Sequence, residues 1–235
     1  MSRTSEARSL PALPQQSARP ITDDSYWASR ELLATSGLGF PHAELVHSAV
    51  QAVAAGGRAG FPVVLKAMGL LHKSDAGGVA LGLKDAAALT KAFGDMDGRL
   101  HAPAYTVEAM ADLRNAVELI AGVQLDPRFG PVVMVGLGGV LTEVLRDVAF
   151  ALAPVDAATA RRMLESLRTA AVLHGVRGKP AVDVAAAAEA IARISKVAVE
   201  HPEIRELEVN PLLVTPTAAM ALDARIVLAQ TATRA

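Results

Sequence analysis

The chain contains no cysteine, which removes disulfides, thiolate nucleophiles and cysteine-based zinc or iron–sulfur sites. Aromatics make up only 3% of it, against 51% hydrophobic residues, so a core must be built from alanine, valine and leucine. An excess of either charge is missing too: 23 lysines and arginines, scattered along the sequence, nearly balance 24 acids, for a net charge of −1. Binding to a nucleic-acid backbone needs a basic footprint, and no nucleic-acid partner is expected. Long apolar runs are also absent. The stretches 132–141 and 184–194 are too short or too polar to span a bilayer. The N-terminus has no apolar h-region of a secretion signal. A cytoplasmic protein with no membrane partner is expected.

What is present is enough chain, 235 residues, for one large domain or two closely joined lobes. Residues 1–22 mix Ser, Arg, Gln and three prolines without periodicity and read as a flexible N-terminal tail. A helix is expected over 25–36, with Asp24 as cap and Gly37 as stop. A second is expected over 48–59, with Val50 and Val53 turned inward. Strands are expected over 62–66, 79–83, 105–110, 116–125, 131–135 and 148–152. Asp85 caps a helix carrying Leu89, Phe93 and Met96, and Asp156 caps one that runs through Leu173 to a stop at Gly175. An alanine-rich helix over 184–200 bears Ile191, Ile194, Val197 and Ala198 on one side. Strands in antiparallel runs, with helices inserted as pairs, make an α+β pattern. A boundary near 102–105 divides it into an N-terminal lobe, 23–104, and a C-terminal lobe, 105–235.

The segment from Lys66 to Val79 joins two strands and holds His72, Lys73, Ser74 and the pair Gly77 and Gly78. Lys66 at a strand end fixes a positive charge, Lys73 and Ser74 add donors, and the glycines let backbone close over an anion. This is neither a Walker A nor a Rossmann fingerprint. A phosphate cradle and an ordinary loop of solvated charges both fit the spacing. A lone surface histidine is usually inert, yet His72 among these neighbours can accept a phosphoryl group, because neutral imidazole is nucleophilic near pH 7. His42, His47, His101, His174 and His201 lack such surroundings and read as surface residues. Gly136, Gly138 and Gly139 end a β-branched run ahead of Glu143 and Arg146; they could approach phosphates or simply form a turn, and the glycines alone favour the turn. Glu108 and Glu118 interrupt apolar strands, where an acid either faces water or binds something polar such as a ribose hydroxyl.

Near the C-terminus, strands over 205–214 and 218–227 face each other across a turn at 215–218. A tight turn places Asn210 opposite Asp223 and Glu208 opposite Arg225, all on one face. Leu207, Val209, Leu222 and Ala224 then take the other face. Opposed Cβ atoms sit about 5 Å apart, so a carboxylate and an amide oxygen can grip one cation. Oxygen ligands of this kind suit Mg²⁺ held jointly by protein and substrate phosphates. The plainer alternative is a surface strand pair with a polar exterior. Asn210, disfavoured in strands, weighs toward the metal.

Together these segments resemble the ATP-grasp domain of the ADP-forming acyl-CoA synthetases, the β-subunit type of acetate–CoA ligase related to succinyl-CoA synthetase. The matching stretches are 61–66, 72–79, 126–131, 136–140 and 206–213 with 222–225, in the family's order. The resemblance runs from about Glu31 to Ala229. It implies an ATP-grasp fold, two lobes clamping ATP between antiparallel sheets. Lys66 would contact the α/β-phosphates, with Lys73 and Ser74 closing over them, Glu108 near the nucleotide and Glu118 near the ribose. Asn210 and Asp223 would hold Mg²⁺, with Glu208 beside them. His72 would carry phosphate between the nucleotide and a distant acyl-CoA site. The reaction implied is acyl-CoA + ADP + Pᵢ ⇌ carboxylate + CoA + ATP, with ATP or ADP and Mg²⁺ as the bound groups.

This chain shows no CoA-binding Rossmann half, so the resemblance implies a separate CoA-binding α-type subunit in a hetero-oligomer. The small carboxylic acid and CoA would be reached through that partner. Two departures stand out: 67–71 is shorter than the family usually has between the strand lysine and the histidine, and Ala76 replaces the usual valine. A stand-alone ATP-grasp carboxylate–amine ligase is one competing expectation. A non-catalytic nucleotide-binding regulatory module, motivated by the short loop, is the other.

Overall fold

The computed structural model of the chain describes residues 20–70, 76–139 and 146–229. Helix α1 (Tyr26–Thr35) starts from Ser25, whose hydroxyl accepts from the Ala28 amide, so the cap lies one residue beyond the expected Asp24. A first sheet follows, built from β1 (Ala43–Val46), β2 (Val63–Ala67), β3 (Val79–Leu83) and β4 (Tyr105–Ala109). Its spatial order is β1-β4-β2-β3, antiparallel throughout. Helices α2 (Ala49–Ala59) and α3 (Ala86–Leu100) cover one face, capped by Ser48 and Asp85. Val63, Leu65, Ala67, Tyr105 and Val107 meet Leu89, Phe93 and Met96 there. Strand alternation therefore turns Lys66, Thr106 and Glu108 to the helix-free face.

Val50, expected inward, is 81% exposed. The stripe that faces the core is Ala52, Ala55 and Gly56, and at about 100° per residue Val50 falls on the far side. Small residues there let α2 lie close to its neighbours. A Cβ on Gly56 would sit 2.8 Å from Leu89 Cδ2 and 2.9 Å from Phe61 Cζ.

The second sheet contains β5 (Val117–Asp126), β6 (Gly130–Leu137), β7 (Val148–Leu152), β8 (Ile204–Val214), β9 (Ala219–Ala221) and β10 (Ala224–Leu228). Its order is β10-β8-β5-β6-β7, with β9 paired to β8. Helices α4 (Ala157–Glu165) and α5 (Val184–Glu200) pack on it, α5 through Ile191, Ile194 and Val197. The helix expected from Asp156 through Leu173 stops at Glu165 and resumes as a 3₁₀ turn over Ala170–His174. The buried Asp147 carboxylate accepts from the amides of Arg168, at 3.0 Å, and Thr169, at 2.8 Å. Those amides are thereby withdrawn from helical bonding, and the helix ends.

Two organisational expectations need correction. β4 pairs with β1 and β2, so the sheets divide between Ala109 and Val117 and not near 102–105. The lobes are also not contiguous in sequence, because Leu33 of α1 and Leu38 belong to the core of the second sheet. The tail expected through residue 22 is anchored at Ile21, whose amide donates to Glu203 at 2.6 Å and whose side chain packs on that core. Residues 1–19 lie outside the described residues. His201 is likewise not a surface residue: it is 8% exposed, with Nδ1 3.2 Å from Glu203 Oε1. Among the described residues, no helix is long and apolar enough to cross a membrane.

Candidate functional site

The helix-free face of the first sheet meets the second lobe at Lys66. The Lys66 ammonium lies 2.9 Å from Glu108 Oε2, 3.2 Å from the Tyr26 hydroxyl and 2.7 Å from the Leu222 carbonyl oxygen. An ammonium has three protons to donate, and all three have an acceptor here. Glu108 Oε1 in turn accepts from the hydroxyls of Tyr26 and Thr106, each at 2.9 Å. The register explains the grouping: Lys66 pairs with Thr106 and Val64 with Glu108, so the three polar residues fall on one face of adjacent strands. Glu108 is 2% exposed, and the polar partner that an acid in an apolar strand requires is the protein itself. Burial, then the Glu108 and Asp223 carboxylates, push the Tyr26 phenol well above its ordinary value.

Leu222 leads directly into Asp223, so the lysine of the first sheet arrives at the polar face of the C-terminal hairpin. That hairpin has the expected register. Arg225 pairs with Glu208, and the Asn210 amide donates to the Asp223 carbonyl at 3.2 Å. Leu207, Val209 and Ala224 are buried on the opposite side. The Arg225 guanidinium bonds Glu206 and leaves Glu208 to its neighbour, Asn210 Nδ2, at 3.1 Å. With its nitrogen committed to Glu208, the Asn210 amide has its carbonyl oxygen to offer a cation. Among the described residues no three His, Asp or Glu side chains converge as a metal cluster. What this face offers is two carboxylates and an amide oxygen, a set that would suit a hard ion that keeps waters and phosphate oxygens in its shell. The chemistry of these residues fits Mg²⁺.

Glu118 stands apart from this group. It lines a cleft of about 410 Å³ with Gly138, Val176, Arg177 and Lys179. Gly138 approaches it closely, its amide 2.6 Å from the Glu118 carbonyl, and a Cβ there would meet that backbone at 3.0 Å. Gly136, whose Cβ would meet the Asp147 carbonyl at 2.9 Å, and Gly138 thus serve close backbone approach. His72, Lys73, Ser74 and Glu143 lie outside the described residues.

Sequence reasoning missed Tyr26, Thr106 and the Leu222 carbonyl. Tyr26 is one of two tyrosines in an aromatic-poor chain, which is the one signal the sequence holds. Its contact with residues 40 and 82 positions away leaves no trace in local pattern.

Residues 22–228 match the ATP-grasp domain family. The chain belongs to the ATP-grasp family. A relative, the β subunit of ADP-forming acetate–CoA ligase I from Pyrococcus furiosus, is 33% identical over 239 residues, covering 97% of this chain and all of that subunit. A trans-feruloyl-CoA synthase from an unidentified prokaryote is 40% identical over 84% of this chain, which spans only 29% of that longer protein. An acetyl-coenzyme A synthetase from Candidatus Korarchaeum cryptofilum superposes with a TM-score of 0.77 at 34% identity, covering 87% of this chain and 92% of that one. That structure holds coenzyme A and Mg-AMPPCP, with its phosphohistidine segment pointing towards the nucleotide-binding site. The antiparallel two-sheet, mixed α+β architecture is that of an ATP-grasp domain.

Proposed function

We propose that this chain is the ATP-binding subunit of an ADP-forming acyl-CoA synthetase of the acetate–CoA ligase type, working with a CoA-binding α-type subunit. The observation that carries the reading is the junction at Lys66. A buried ammonium from one lobe and the Asp223–Asn210–Glu208 oxygens of the other meet along one seam. Phosphoryl transfer needs positive charge on both sides of a phosphate to offset the charge that builds up, here the ammonium on one side and, on the other, the Mg²⁺ that those oxygens would hold.

Lys66 would exchange one of its three acceptors for a phosphate oxygen of ATP. Lys73 and Ser74 would close over the phosphates, and Glu118 would take the ribose from its cleft. Asn210, Asp223 and Glu208 would hold Mg²⁺, which supplies charge neutralisation at the phosphates. The His72 imidazole would attack the γ-phosphorus, forming a P–N bond as the bond to ADP breaks, and would carry the phosphoryl group to the partner's acyl site. There the carboxylate, CoA and phosphoryl group give acyl-CoA and phosphate, or the reverse. Two relatives that fill nearly the same length as this chain are β subunits, which supports a partner chain. We place the protein in the cytoplasm, where its ATP is made and spent.

Incubation with γ-labelled ATP and Mg²⁺ tests the reading. Wild-type protein is expected to acquire an acid-labile label that is missing in His72→Ala. Label that persists in the variant overturns the relay. ATP binding with no label in either protein favours a regulatory module, the reading that the short 67–71 stretch motivates.

A further inference from the structure

We infer that Tyr26 is a positioning residue for Lys66, holding its ammonium at the seam between the lobes so that a nucleotide phosphate can take the place of the Leu222 carbonyl. The inference rests on the proposed function and adds a residue from outside the two sheets. Tyr26 begins α1, a helix that contributes Leu33 to the second core, while its own ring packs against Met68 and Ala104 beside the first sheet. Helix α1 therefore reaches both lobes, and Tyr26 stands at its first-sheet end.

Its hydroxyl is bonded in both senses, donating to Glu108 Oε1 at 2.9 Å and accepting from Lys66 Nζ at 3.2 Å. The ring face lies 5.0 Å from the same ammonium. Two of the three acceptors around Lys66, Tyr26 and Glu108, are thus locked to each other, with Thr106 as a further brace on Glu108. The third, the Leu222 carbonyl, belongs to the hairpin on the opposite lobe and meets the group through Lys66 at 2.7 Å. When one acceptor must give way to phosphate, the bond to Leu222 is the one that can open without dismantling the rest. Tyr26 then keeps the ammonium aimed across the seam, next to Asp223.

Tyr26→Phe keeps the ring, its packing and its cation–π contact, and removes only the hydroxyl. Binding of Mg-ATP and of adenosine is measured by displacement of a fluorescent ATP analogue, alongside a thermal melt. Tyr26→Phe is expected to weaken ATP about tenfold, the scale of one hydrogen bond to a charged group, and to leave adenosine within twofold. A general loosening of the fold would weaken both ligands together. An unchanged ATP affinity, or a parallel loss of both, overturns the inference. Wild-type protein that binds neither ligand instead overturns the proposed function. Lys66→Gln/Glu108→Gln, which removes both buried charges at once, serves as the second variant. It should show the same selective loss of ATP, and an ATP affinity equal to wild type would overturn the inference by showing that Lys66 does not meet phosphate.

Discussion

The Lys66 ammonium and the Glu108 carboxylate lie 2.9 Å apart, with side chains 10% and 3% exposed. Removing one partner strands a charge with little water to solvate it. Lys66→Met is therefore expected to lose about 3–5 kcal/mol in urea unfolding. Lys66→Gln/Glu108→Gln should lose clearly less, since no lone charge remains. A double variant as unstable as the single one would mean that packing dominates at this position.

Two neighbouring glycines of α2 should respond in opposite directions to alanine. At Gly56 a methyl would press on Leu89 and Phe61, and Gly56→Ala is expected to cost about 1–3 kcal/mol. Nothing lies within 4 Å of a Cβ on Gly57, so Gly57→Ala should gain about 0.5–1 kcal/mol of helix propensity. Thermal or denaturant midpoints of the two variants decide the matter, and equal shifts would contradict the packing.

If the C-terminal hairpin holds Mg²⁺, nucleotide affinity should depend on the ion only while Asp223 is intact. Wild-type protein titrated with ATP is expected to bind at least tenfold more weakly in EDTA than in Mg²⁺. Asp223→Ala should bind with the same weak affinity in both. A variant that still responds to Mg²⁺ places the ion elsewhere.

Asp147 gives the acid limb of stability a definite sign. The Thr169 hydroxyl, then the Arg168 and Thr169 amides, hold its carboxyl below the usual carboxylate range against the opposing effect of burial. A group depressed in the folded state stabilises above its unfolded value, and that contribution is lost as pH falls through the folded value. The stability gap between wild type and Asp147→Asn should be widest near neutral pH and should narrow below about pH 4. A gap that stays constant down to pH 2 would show that Asp147 titrates alike in both states.

Much of the hairpin was legible because strand geometry is local. Once the turn at 215–218 is assumed, the pairing of Glu208 with Arg225 and the meeting of Asn210 with Asp223 follow by counting, and both are found. Asp85 and the Leu89, Phe93 and Met96 stripe were equally visible, since cap and period lie in one window. What failed was long-range. Val50 looked like a core residue by type, but the phase of α2 is set by how near Gly56 can approach residues beyond the helix. The helix after Asp156 looked continuous until Asp147, some twenty positions back, claimed the amides of Arg168 and Thr169. Tyr26 carried no local mark at all. The roles of the site residues stayed with family resemblance, because the charges of Lys66 and Glu108 say nothing until the sheet brings them together.

Helix α1 is made early and finds its resting place late. Leu33 joins a core whose Ala224 and Ile226 leave the ribosome roughly 190 residues afterwards, a delay on the order of 10–40 s at usual rates of synthesis. Through that interval its apolar side must stay uncovered or lean on the nascent first sheet. Neither sheet region can then be expressed alone as a clean fragment: cutting at the seam after Ala109 would separate α1 from the strands it shields.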